Sequence, residues 1–272
     1  MLPIVLTPAE VAVRAAAGAV RIVDMRKPEA FAEGHVPGAA VLDYAALVRE
    51  DKPVGGLLPD DATLSGVFSR LGIAPGQPVI AYDDDGNGRA GRLVWTLHAV
   101  GHEAAAIMDG GFAAWCEAQL AVERAARPVT ASHFEVHARG AVVADRAWLL
   151  AHLGDPDVVV VDTRSAKEYS GEDVRAARGG HVPSAVHFDW LRAMDGEHHK
   201  RLWPRERLLA ELAALGVTPQ REVVTYCQTH HRSSHTYVVL RWLGFERVRG
   251  YPGAWSDWGN RPDTPVTVGD RP

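Results

Sequence analysis

Positive charge is not in excess in this chain: 29 Lys and Arg stand against 34 Asp and Glu, a formal net charge of −5. No overall basic field exists to hold nucleic acid or an anionic membrane surface. Cysteine is scarce as well. The two that occur, Cys116 and Cys227, cannot build a disulfide framework, and no CxxC spacing marks a redox or zinc motif. Each is read as a single thiol. Long apolar runs are missing too. The longest stretch free of Asp, Glu, Lys and Arg is twelve residues, Leu71 to Tyr82, and it contains Pro75 and Pro78, whereas a spanning helix needs roughly 18 or more apolar residues. No bilayer crossing is expected. The N-terminus has no Lys or Arg ahead of its short apolar run and carries Glu10, the wrong pattern for a secretory signal. A cytoplasmic location is expected.

What is present is a repeat. With 272 residues, 47% hydrophobic and 23% charged, the composition is that of a soluble folded chain of about two domains, and the two halves match. Ile22 to Arg26 recurs as Val160 to Arg164, and Ala30-Phe31 as Glu168-Tyr169, at an offset of 138. Gly34-His35-Val36-Pro37 recurs as Gly180-His181-Val182-Pro183 at 146, so the second copy has eight extra residues around Glu172 to Gly179, expected as a surface loop. Val79 to Tyr82 returns as Val223 to Tyr226 at 144, but Arg89 pairs with Arg232 at 143. The loop after the central strand is therefore one residue shorter in the second copy.

Short β-branched runs alternate with segments of helical spacing in both copies, which predicts an α/β fold: two domains, each a mostly parallel sheet flanked by helices on both faces. Residues 1–121 form the first domain, 122–140, with Arg127-Pro128, Ser132, His133 and His137, the linker, and 141–272 the second.

The chemistry is expected in the second copy. Val223 to Tyr226 reads as a buried strand and Ser233 to Trp242 as a helix ended by Gly244; Cys227-Gln228-Thr229-His230-His231-Arg232 joins them. Such a loop lies in the crevice where open α/β sheets bind ligands, and its amides with the helix N-terminus form an anion cradle. A cysteine there, next to Arg232, has its thiolate favoured and becomes a nucleophile. The polar neighbours argue against a core cysteine, whereas Cys116, within Ala113-Ala114-Trp115-Cys116, is expected to pack. In the first copy Asp83 replaces Cys227 and the loop is Asp83 to Arg89, so the same reaction is not expected there. Asp83, Asp84 and Asp85 could ligate a metal, but a Gly/Asn/Asp-rich turn needs none, and the His231/His235 spacing is treated with the same restraint. Asp24, Asp162, His35 and His181 recur although only one copy has the cysteine, which assigns them to structure.

With these motifs in order, the chain resembles a two-domain rhodanese. The segments that carry the likeness are Val161 to Tyr169, Gly180 to Ala185, the 227–232 loop, and Gly250 to Gly259; the loop string is similar to that of bacterial tandem thiosulfate sulfurtransferases. The resemblance implies an inactive N-terminal and an active C-terminal copy, with Cys227 holding a persulfide and Arg164 meeting the substrate anion. Trp190 is implied as a pocket aromatic, with a packed strand-end residue as the alternative. The loop departs from the mammalian pattern of basic residues after the cysteine. Gln228, Thr229 and His230 stand there, so positive charge is expected from Arg232, Arg164 and the backbone, with His230 and His231 adding to it if protonated.

The implied reaction moves sulfane sulfur from thiosulfate to a thiophilic acceptor, cyanide in an assay and a thiol or protein thiol in a cell. No cofactor, metal, nucleic acid or membrane is called for, and the oligomeric state is left open. A compact, highly charged donor suits the expected cationic loop better than 3-mercaptopyruvate, the competing donor. Cysteine phosphatases and arsenate reductases are a rival class, but they resemble Cys-x5-Arg, and Cys227 to Arg232 is Cys-x4-Arg. A non-catalytic sulfur carrier is a second rival, disfavoured by the retained cysteine.

Overall fold

A computed structural model describes residues 2–136 and 141–272; His137, in the expected linker, lies outside the described residues. In chain order the strands are β1 (Val5–Leu6), β2 (Arg21–Asp24), β3 (Ala40–Val41), β4 (Arg49–Asp51), β5 (Val54–Leu57), β6 (Val79–Tyr82) and β7 (Ala105–Met108), then β8 (Val158–Asp162), β9 (Val186–His187), β10 (Met194–Asp195), β11 (Arg201–Leu202), β12 (Glu222–Tyr226) and β13 (Val248–Gly250). The helices are α1 (Pro8–Ala16), α2 (Pro28–Glu33), α3 (Asp61–Arg70), α4 (Gly88–Ala99) and α5 (Gly111–Glu117), then α6 (Arg146–Ala151), α7 (Ala166–Ser170), α8 (Arg205–Ala214), α9 (Arg232–Leu243) and α10 (Ala254–Trp258).

Local sequence explains these elements. Thr7 and Glu10 form a capping box with Pro8 in the first turn of α1, Ser165 and Glu168 form another at α7, and Gly244 ends α9 in the left-handed conformation, which costs glycine no Cβ clash. The Val158–Asp162 strand is buried along its whole length, as a strand covered on both faces must be.

The first sheet has the order β1-β7-β6-β2-β3 and the second β13-β12-β8-β9, with parallel pairing throughout both. Register places Asp24 beside Tyr82 and Asp162 beside Tyr226. Asp83 and Cys227 thus leave equivalent places at the carboxyl ends of central strands. Each sheet has its own core, with Ile22, Ile80, Tyr82 and Trp115 in the first and Val160, Val224, Tyr226 and Trp255 in the second. Among the described residues no helix is long and apolar enough to cross a membrane.

Contacts divide the chain into two units that do not follow the repeat. One comprises residues 1–47, 59–140 and 195–202; the other comprises 48–58, 141–194 and 203–272. The antiparallel β4-β5 hairpin, encoded in the first half, belongs to the unit of the second sheet. There the Gly55 N–H donates to Ser256 Oγ (3.0 Å). Residues 195–202 make the reverse exchange: the Leu202 N–H donates to Asp109 Oδ1 (3.0 Å) and Arg201 pairs with Glu117 at 2.5 Å. The described part of the linker runs along α3, with the Phe134 N–H donating to Ser69 Oγ (3.0 Å) and the Phe134 ring edge-on to Phe68.

Candidate active site

Cys227 follows the last residue of β12, and its loop is held from behind by α10. The Trp255 and Ser256 amides donate to the carbonyls of Cys227 and Gln228, each at 3.0 Å. His230 takes a left-handed φ of 56°, uncommon for a residue with a Cβ, and this turns the chain into α9. The side chain that makes the turn is itself a strut: His230 is fully buried, and its Nδ1 hydrogen-bonds Ser233 Oγ at 2.7 Å. Trp190, itself buried, packs at 5.9 Å from His231 and edge-on to His235 at 5.6 Å, ring centre to ring centre. His235 has its pKa pushed down to about 3 by burial and by His231, so it is neutral near pH 7.

The Cys227 thiol is 1% exposed. Burial alone would push its pKa up, but the charge of Arg232, the hydroxyl and N–H of Ser233 and the Thr229 N–H together outweigh it and bring the thiol below its ordinary value. Hydrogen bonds and a cation aimed at the ionised form favour that form. The expected anion cradle is thus turned onto the sulfur itself.

The charge around the loop is arranged differently from expectation. Arg232 forms a two-pronged ion pair with Glu168, at 2.6 and 2.8 Å, geometry that suits a guanidinium to a carboxylate. Burial raises the Glu168 pKa, yet Arg232 and the Ser165 cap bring it down to about 2. Arg164, expected to meet the substrate anion, is 1% exposed. Its donors are bonded to both Asp162 oxygens and to the Gly180 carbonyl at 2.7 Å. Arg26 makes the same bonds to Asp24 and to Gly34 O at 2.6 Å, in a copy with aspartate at the cysteine position. The motif therefore ties the loop after β8 in the same way in both copies. His35 and His181 repeat each other as well, each bonded at 2.9 Å to the carbonyl of the ring on which it stacks, Phe31 or Tyr169.

Glu168 was not singled out from sequence. Ser165-x-x-Glu168 reads as a capping box, which it is, and nothing local shows its second partner 64 positions away. No residue of the eight-residue insert is buried, as expected of a surface loop, yet it reaches the site. Gln228 Nε2 donates to the Arg175 carbonyl (3.0 Å), and the Arg175 guanidinium lies 3.8 Å from Glu168. Cys116, expected to pack, is exposed. On α5 Ala114 and Trp115 face inward, and the next residue points out.

In the first copy the loop amides are already engaged. Asp83 accepts four backbone N–H groups: Oδ1 from Asp85 and Asn87 (both 2.8 Å), Oδ2 from Arg89 (2.9 Å) and Ala90 (3.1 Å). The cradle exists in both copies. In the first, a carboxylate of the chain itself fills it, and Asp85 pairs with Lys200 while Asp84 lies 3.5 Å from Arg89.

Two parallel sheets with matching arginine, histidine and loop arrangements define a duplicated α/β domain that sets its cysteine after a central strand. The chain belongs to the rhodanese family: the rhodanese-like domain matches residues 7–118 and 145–261. It is 40% identical over 267 residues to thiosulfate sulfurtransferases of Pseudomonas aeruginosa and Azotobacter vinelandii, with 98% of each chain covered. The solved structure of an EanB variant in complex with ergothioneine shares the fold, with a TM-score of 0.88 at 20% identity, over 98% of this chain and 70% of that one.

Proposed function

We propose that this protein is a thiosulfate sulfurtransferase that works through a persulfide on Cys227. The observation that carries the reading is a buried thiol whose pKa is lowered by Arg232, Ser233 and Thr229; the 40% identical relatives supply the substrate class. The Cys227 thiolate attacks the outer sulfur of thiosulfate. The new S–S bond forms as the old one breaks, and sulfite leaves with the electron pair. A thiophile then attacks the terminal sulfur and returns the thiolate, so no external oxidant or reductant is consumed. Cyanide takes this part in an assay and gives thiocyanate; in a cytoplasmic setting a thiol or protein thiol does. Arg232, with Thr229 and Gln228, borders the reacting sulfur, His231 and Trp190 form the rim, and His230 braces the loop from within. On this reading residues 1–121 do no sulfur chemistry, 122–140 connect, and 141–272 carry the reaction.

Incubation of the protein with thiosulfate is expected to add one sulfur, about 32 Da, to the peptide containing Cys227, removable by cyanide or a dithiol as a persulfide is. A gain on the Cys116 peptide, or none, would count against the assignment.

The pairing of both Arg164 and Arg232 with carboxylates gives a second reading some ground, because the loop holds less net positive charge than a dianion would favour. With 3-mercaptopyruvate as donor, pyruvate would be the leaving group. The expected order still has thiosulfate ahead in kcat/KM. A steady-state comparison of the two donors decides it, and equal or higher values for mercaptopyruvate would reverse the choice while leaving Cys227 in place.

A further inference from the structure

The hairpin exchanged from the first half touches the cysteine loop directly. The Gly56 backbone has φ +73°, and a Cβ added there would stand 2.2 Å from the Thr229 carbonyl oxygen and 2.7 Å from its carbon. Those are distances at which the backbone of Thr229 has to move. One residue earlier, a Cβ on Gly55 would meet Thr229 Cγ2 at 3.4 Å. The Gly55 N–H donates to Ser256 Oγ at 3.0 Å, and the Ser256 amide donates to the Gln228 carbonyl at 3.0 Å. The Gly55-Gly56 step thus bears on two consecutive loop residues, once by close packing and once through Ser256.

We propose that Gly56 is a positioning residue of the candidate active site. Contributed by the half without the cysteine, it sets the backbone of Thr229 and through it the electrostatics at Cys227 Sγ. The half that does no sulfur chemistry thereby serves the reaction. Glycine is required on two counts: the left-handed φ favours it, and the closeness of Thr229 leaves no room for a side chain. Thr229 matters because its N–H is one of the donors that favour the Cys227 thiolate. The charges around the loop are Arg232 from α9, Glu168 from α7, Arg175 from the insert and the Asp162–Arg164 pair at the end of β8, together with the His230, His231 and His235 imidazoles. Gly55 and Gly56 carry no charge, so a change at Gly56 acts on the thiol by geometry alone.

The inference rests on the reading of Cys227 as the sulfur carrier, and the test separates the two. In a Cys116→Ser background, the pH dependence of Cys227 alkylation by iodoacetamide gives the thiol pKa without turnover. Gly56→Ala is expected to raise that pKa by about one unit, the scale of one lost hydrogen bond to a charged group, and to lower kcat/KM for thiosulfate roughly tenfold. Gly76→Ala is the control. Its φ is the same, +73°, with nothing within 4 Å of an added Cβ, so it carries the backbone strain without the contact and is expected to change neither quantity.

An unchanged alkylation profile in folded Gly56→Ala protein, or an equal shift in Gly76→Ala, would overturn the proposal. Should Gly56→Ala fail to fold, Ser256→Ala loosens the same tie without adding bulk. A rise in the thiol pKa in that variant supports the role, and an unaltered profile overturns it. Failure of the underlying reading looks different: turnover that survives Cys227→Ser, whatever the alkylation profile does.

Discussion

Replacing Cys227 by serine is expected to reduce thiocyanate formation from thiosulfate and cyanide by about a thousandfold or more. The argument is chemical before it is structural. Arg232, Ser233 and Thr229 bring a thiol below its ordinary pKa, but the same environment acting on a hydroxyl starts from a group that ionises far above neutral pH. Bulk and burial change little, so the fold is expected to survive, with an unaltered melting profile as the check. Cys116→Ser, at an exposed position on α5, is expected to stay within about twofold of the unmodified protein, since it lies outside the loop and helix end that favour the Cys227 thiolate. Turnover by Cys227→Ser within tenfold of the starting rate would remove the cysteine from the mechanism.

The next largest effect is expected at Arg232. Its alanine variant loses a cation that favours the thiolate and orphans Glu168, a carboxylate with a 2% exposed side chain. Activity is expected to fall roughly a hundredfold, the scale of one lost electrostatic stabiliser, and stability by about 3 kcal/mol, because breaking one partner of a buried pair leaves an uncompensated charge. The two losses separate in the Arg232→Ala/Glu168→Gln double variant, where stability is expected to return and activity is not. Acid gives an independent reading. The Glu168 pKa is about 2 in the folded chain, below the ordinary carboxylate value of roughly 4.3. Its contribution is therefore complete above that ordinary value and is lost as the pH falls through about 2. Denaturant melts of the unmodified protein between these limits are expected to show this loss, and those of the double variant a shallower one. Equal slopes would mean that the pair does not stabilise the fold.

The duplicated architecture was readable because the apolar strand runs and their punctuation recur at nearly constant offsets, and parallel βα units follow from that alternation. The place of Cys227 directly after a central strand was readable because a polar loop follows a buried apolar run. For Arg164 the substrate role came from the resemblance alone. Its recurrence as Arg26, beside an aspartate where the cysteine would be, was the same signal that assigned Asp24, Asp162, His35 and His181 to structure. The arginine carries that signal as well, and its bonds to Asp162 and Gly180 repeat those of Arg26. The Asp83 loop looked like an accumulation of negative charge, whereas its first carboxylate is the ligand of its own amides; a loop one residue longer gives no hint of that. The Arg232–Glu168 pair and the exchanged segments were beyond a linear reading, since both depend on contacts between residues far apart in the chain that no periodicity encodes.

The exchange of segments also bears on the order in which the molecule can be built. Gly55 and Ser256, hydrogen-bonded to each other, are separated by 201 positions, and Leu202 closes onto Asp109 across 93. During synthesis from the N-terminus, the first sheet emerges well before residues 195–202, and Gly55 in the β4-β5 hairpin is made 201 residues before its partner Ser256. Neither unit reaches its final form from the half of the message that encodes its sheet. Contacts of such separation slow folding because the loop must close before they repay its entropy. Ser256 is made after the cysteine loop that it braces, so a chain stopped between Arg232 and Ser256 would carry the thiol without that brace.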